Sequence, residues 1–117
     1  MALLVKKTVS TGALSNSGCY IQLVPNVIFG IDSTKIPCNR GIWASEADYE
    51  ANPINTTIQR LNEIENVFYV DPATAPMGAD NVDDLTAFLI WINTEVKAQI
   101  LAANPTWNTN DIDIIGL

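Results

Sequence analysis

Asn81-Val82-Asp83-Asp84-Leu85-Thr86-Ala87-Phe88-Leu89-Ile90-Trp91-Ile92-Asn93-Thr94-Glu95-Val96-Lys97-Ala98-Gln99-Ile100-Leu101-Ala102-Ala103 is the stretch that decides the fold class of this chain. It holds no proline or glycine, and its apolar residues recur at the three- and four-residue spacing of an α-helix. Asp80 or Asn81 can cap its start, and Asp83 and Asp84 suit the positive first turn of a helix. Asn104-Pro105 stops it, because the residue before a proline is pushed out of the helical region. The pattern predicts one long helix over about residues 81–103. Placing residues 100° apart puts Leu85, Leu89, Ile92, Val96 and Ile100 on one stripe, with Phe88 at its margin. That stripe is expected to cover a sheet. Ile90 and Leu101 fall on the opposite side, continued by Trp91, Ala87 and Ala98, where a surface helix normally carries charge. After the first turn only Glu95 and Lys97 are charged.

Upstream of the helix the chain reads as strands. Leu3 to Val9 is apolar and β-branched apart from Lys6-Lys7, and a turn-rich stretch follows from Ser10 to Gly18. Cys19 to Val24 makes a strand stopped by Pro25, Asn26 to Ile31 another, and Arg40 to Ala44 a short one after Pro37. Ser45-Glu46-Ala47-Asp48 resembles a capping box, and the helix it starts lasts a turn or two before Asn52-Pro53. Ile54 to Glu65 fits either period, and Thr56-Thr57 with the following Val67 to Val70 favours a strand hairpin. Asp71 to Ala79 reads as a loop. Asp111 to Ile115 reads as a short C-terminal strand. The expected architecture is one α+β domain over residues 1–117, a small antiparallel β-barrel or sandwich with one long helix.

Composition removes several function classes. None of the 117 residues is histidine, so Ser-His and Cys-His nucleophile pairs and His-ligated metals are excluded. The net charge of −7 argues against a nucleic-acid partner, since phosphate neutralisation needs a cationic surface. No pair of the six glycines has the spacing of a phosphate loop. No stretch has the length of a membrane span, and no secretory leader is expected from the first residues. Cys19 and Cys38 are expected as free thiols, with a bridge to each other as the alternative.

The remaining constellations have ordinary explanations. Asp111 and Asp113 share one face of a strand, as solvated outer-face carboxylates do. Asp80, Asp83 and Asp84 lie at a helix start, where acidic residues are common without any cation. Trp43, Trp91 and Trp107 offer a stacking surface for a sugar or peptide, or core packing. Charge is unevenly distributed. Residues 1–45 carry four basic side chains against one acid, and residues 46–117 carry two against twelve. Folding either mixes these or leaves unlike patches for neighbouring copies.

Gly18-Cys19-Tyr20-Ile21-Gln22-Leu23, then Trp43-Ala44-Ser45-Glu46-Ala47, Asn52-Pro53, the helix and Asp111 to Ile115 occur in an order that resembles small structural accessory proteins of tailed-bacteriophage virions. The resemblance implies a non-enzymatic role in a head, neck, tail or baseplate, in a virion assembled in the host cytoplasm. It implies no cofactor, metal or catalytic residue. The expected partners are copies of the chain or other virion proteins, without nucleic acid or membrane. Ile90, Trp91, Leu101 and Trp107 are the expected interface residues, unless loops of the same chain around Trp107 cover that sector. The alternative is a small peptide- or glycan-binding module.

Overall fold

The computed structural model describes residues 1–12, 14–26, 35–56, 58, 60–76 and 84–116. The strands are β1 (Ala2–Val5), β2 (Val9–Thr11), β3 (Leu14–Asn16), β4 (Cys19–Pro25), β5 (Ile36–Trp43), β6 (Val67–Val70) and β7 (Ile112–Ile115); the helices are α1 (Glu46–Ala51) and α2 (Leu85–Ala103). Five strands make one antiparallel sheet in the order β6-β5-β4-β1-β7, and β2 and β3 pair separately. The fold is therefore α+β, with a five-stranded antiparallel sheet and one long helix. Among the described residues β6 and β7 are edges that do not pair with each other.

Strand alternation sorts the sheet into two faces. Leu3, Val5, Cys19, Ile21, Cys38, Ile42, Phe68, Val70 and Ile112 point to the helix side and are buried. Phe88, Trp91, Ile92, Val96 and Ile100 of α2 meet them in one core. Fully burying side chains of this size contributes roughly 1.5–3 kcal/mol each, which makes α2 a structural member of the core. The opposite face carries a second, smaller cluster of Ala2, Tyr20 and Trp43, with Tyr49 of α1 and Ile115 packed on it.

Local chemistry sets the boundaries. The run predicted as one strand from Leu3 to Val9 is divided. β1 ends at Val5, the Lys6 amide donates to the Asp111 carbonyl at 2.8 Å, and β2 starts a new sheet at Val9. The turn-rich stretch holds the β2–β3 hairpin, reversed at Gly12, whose φ of +56° favours glycine. β5 starts earlier than expected and contains Pro37 near its beginning, where one missing amide is tolerated. Ser45 caps α1 by accepting from the Asp48 amide, as its sequence predicts. α2 is capped by Asp84, which accepts from the Ala87 amide. The expected caps at Asp80 and Asn81 lie outside the described residues, as does most of the strand expected over Asn26 to Ile31.

The strand expected within Ile54 to Glu65 does not form. Among the described residues of this segment only Ile58 makes a bridge, to Ile42, and Ile54 is 90% exposed. Thr56 explains the difference: its hydroxyl accepts from the Ile42 amide where a ladder carbonyl would stand, so that only the Ile42 carbonyl keeps a backbone partner, the Ile58 amide. Leu61 and Ile64 then turn into the core from irregular backbone. Strand β6 pairs instead with β5, bringing Phe68 opposite Cys38.

Both cysteines are free and buried. Pro25, not Cys19, lies opposite Cys38, which puts the two cysteines about 20 Å apart along β4 at a strand rise of ~3.3 Å per residue. A disulfide requires Cα atoms within about 7 Å. Burial pushes the Cys19 thiol up to about 12 and the Cys38 thiol up to about 11, so neither is a thiolate at neutral pH.

Candidate functional site

The four residues singled out for an interface occupy different environments. Trp91 is 3% exposed: its ring meets Phe88 edge-on at 5.8 Å, and its indole N–H donates to the Thr74 hydroxyl at 3.3 Å. Leu101 and Trp107 are half-buried against the same core. Ile90 is the outward member, at 40% exposure. Trp91 and Leu101 of the second apolar sector are thus drawn into the chain's own core, with Thr74 on the Trp91 indole, while Ile90 and Ala98 stay exposed. Leu85, expected on the core stripe, is 59% exposed at the helix start.

The charged groups are engaged within the chain as well. Lys6 pairs with Asp113 at 3.0 Å, and Lys7 lies 3.9 Å from Asp111. Folding therefore mixes the basic beginning with the acidic end. Asp111 also accepts from the Asn108 amide at 2.7 Å, giving it a capping role. Asp84 caps α2, while Asp80 and Asp83 lie outside the described residues. Among the described residues no three Cys, Asp or Glu side chains form a group able to hold a metal ion. Sequence reasoning missed the Glu63 clamp, in which the carboxylate accepts from the Ser10 amide at 2.8 Å and the Ser10 hydroxyl at 2.7 Å. Desolvation acts to raise the Glu63 carboxyl, but these hydrogen bonds outweigh it and hold the group below the usual carboxylate range.

Two concave surfaces stand out among the described residues. On the outer sheet face a hollow of about 390 Å³ is lined by Val24, Gly41, Trp43, Tyr49 and Ile54. Its wall is an aromatic cluster: Tyr20 stacks on Tyr49 at 4.8 Å, and Trp43 meets Tyr49 edge-on at 4.9 Å. The Trp43 indole N–H donates to the carbonyls of Asn52 and Asn55, so the ring is anchored and 96% covered. The hollow is edged by aromatic rings that are not free to stack on a ligand.

The larger surface is a groove of about 600 Å³ between β6 and α2. Phe68 and Ile100 line its apolar part, with Glu63, Glu65, Asp71 and Glu95 around it. Lys35 is the one cation among its described lining residues. The direction of the backbone groups here follows from the sheet. The Asn26 amide donates to the Pro37 carbonyl at 2.8 Å, so Pro37 faces β4 and its pairing with Tyr69 is a non-hydrogen-bonded one. Phe68 and Val70 therefore bond to β5, and Val67 and Tyr69 aim their amides and carbonyls away from the sheet. The Tyr69 carbonyl accepts from the Gln99 side chain of α2 at 2.8 Å, as that direction requires. The same reasoning applies at the other edge. Because Lys6 bonds Asp111, Asp113 and Ile115 face β1, while Ile112 and Ile114 direct their backbone groups outward.

The chain matches no protein-family model, no curated protein and no solved structure in the comparisons made. No helix of the described residues is long and apolar enough to cross a membrane.

Proposed function

We propose that this chain is a non-enzymatic structural protein of a tailed-bacteriophage particle, in its head, neck, tail or baseplate, and works by subunit association. Its partners are further copies or other virion proteins, with no nucleic acid and no membrane. We read the five-stranded sheet and the small β2–β3 sheet as a sandwich-like pair. The observation that supports association best is the β7 edge, where Ile114 presents an outward backbone donor and acceptor that a neighbouring strand can extend, while the Ile112 amide is already taken by the Thr109 carbonyl.

The test is Ile114→Pro. The outward Ile114 amide takes no part in the β1–β7 ladder, so proline removes an edge donor and leaves the internal pairing intact. The wild type is expected to run as a defined oligomer in size-exclusion chromatography with light scattering, or to incorporate into particles. The variant should keep its circular dichroism and lose the association. A wild type that stays monomeric and ignores phage particles, or an oligomer indifferent to Ile114→Pro, counts against the reading. The second reading, a small peptide-binding module, is favoured by the groove between β6 and α2.

A further inference from the structure

We infer that the groove between β6 and α2 is a docking site for an extended, lysine- or arginine-bearing segment of a partner protein, which adds as a strand to the β6 edge and displaces Gln99 from the Tyr69 carbonyl. The inference rests on reading the chain as an association protein, and not on its position within a particle. Val67 and Tyr69 point their amides and carbonyls into the open side of β6, which is the array an added strand uses. Gln99 already supplies an amide N–H to the Tyr69 carbonyl, where the N–H of an added strand would otherwise sit. Tyr69 is 56% exposed, so its ring is available to a neighbouring side chain.

Charge decides what kind of segment fits. The Glu63 carboxylate is held by Ser10 and the Asp71 carboxylate accepts from the Ala73 amide, which leaves Glu65 and Glu95 to face an incoming cation, against the single ammonium of Lys35 among the described lining residues. A second copy does not supply a matching run, because no two of its six Lys and Arg residues stand two positions apart in the sequence. The occupant is a segment of a different protein, with basic residues to meet the carboxylates and apolar ones alternating with them to lie against the exposed Tyr69 ring.

The experiment is an amide NMR titration of the full chain with three acetylated, amidated hexapeptides: alternating Lys-Val, alternating Glu-Val and alternating Lys-Pro. The Lys-Val peptide should shift Val67, Tyr69, Gln99 and Glu95, and its binding should weaken as salt is added. The Glu-Val peptide should not bind. The Lys-Pro peptide carries the same charge without strand donors and should bind at least several-fold more weakly. Gln99→Ala, which opens the Tyr69 carbonyl, should tighten Lys-Val binding by a factor of roughly 2–10. Glu65→Lys with Glu95→Lys should abolish it while circular dichroism stays unchanged.

Shifts located elsewhere, equal binding of the Lys-Pro peptide, or no shift at millimolar peptide would overturn the inference. Light scattering on the same samples keeps the two readings apart. An oligomer that ignores the Lys-Val peptide loses only the groove, whereas a monomer that binds it keeps the groove and loses self-association.

Discussion

Replacing Gly41 by alanine tests how rigidly the outer face is built. A Cβ at Gly41 would lie 2.7 Å from both Cη2 and Cζ3 of Trp43, well inside ordinary contact. Relief requires the indole to retreat by about 0.7 Å, to a normal ~3.4 Å separation. It is held where it is by hydrogen bonds of 2.9 and 3.1 Å to the Asn52 and Asn55 carbonyls and by its edge contact with Tyr49. Overpacking of this kind costs about 1–3 kcal/mol, and alanine returns about 0.4–1 kcal/mol by restricting the unfolded chain. The net expectation is a loss of about 1 kcal/mol, read from urea unfolding followed by far-ultraviolet circular dichroism. Trp43→Phe removes the distal ring atoms that make the contact. In that background Gly41→Ala should become neutral or stabilising, which is a coupling of about 1–3 kcal/mol. Equal cost in both backgrounds would refute the account, because the indole would then not be the obstacle.

Three further outcomes follow from other sites. Glu63→Gln weakens the Ser10 clamp and is expected to cost about 1 kcal/mol or less at neutral pH, discounted for the solvent around the carboxylate. Because the Glu63 carboxyl is depressed in the fold, its contribution is present above the ordinary carboxylate range and is lost as pH falls below it. Wild type and variant should therefore converge in urea midpoint toward pH 3, and a gap that persists there rejects the assignment. Asn93 is 2% exposed, and its Oδ1 accepts nothing while its Nδ2 donates to the Leu89 carbonyl at 2.8 Å. Asn93→Leu should leave stability unchanged or raise it by about 1 kcal/mol, and a large loss of thermal midpoint would show that the amide has a role. Both cysteines should be reduced and react with a thiol reagent only after denaturant is added; a mass lower by two hydrogens with no alkylation would contradict the register of β4 and β5.

Much of the architecture was legible because the sheet obeys its period. Cys19, Ile21 and Leu23 against Tyr20, Gln22 and Val24 divide the two faces of β4 as simple alternation requires. The final strand, the capped short helix and the long helix were equally open to reading, since each rests on local residues. The segment from Ile54 to Glu65 was not. There a threonine hydroxyl takes the Ile42 amide in place of a strand carbonyl, and such a substitution is visible only when Ile42 is beside it. The placement of Trp91 failed for a related reason. The buried residues of α2 run from Trp91 round to Asn93, an arc of about 200° at 100° per residue, wider than one sheet covers. The spacing of Phe88, Ile92, Val96 and Ile100 was the signal that centres the arc correctly. Thr74 and Trp107, which help close it, lie in loops that no periodicity predicts. The groove at β6 was illegible for the same reason, because the outward direction of Val67 and Tyr69 depends on which strand Pro37 faces.

The pairing of β1 with β7 joins Leu3 to Ile114, across a sequence separation of more than a hundred residues. During synthesis β1 acquires β4 almost at once, but its other side stays open until the intervening strands and both helices have been made. The strand that completes the sheet is thus the last of its five to arrive, at a surface that every neighbouring nascent copy also displays. Closure by the chain's own β7 is favoured by tethering, and crowding on one messenger works against it. Strand exchange between copies is the natural error of this topology, and it becomes more frequent the more densely the chain is translated.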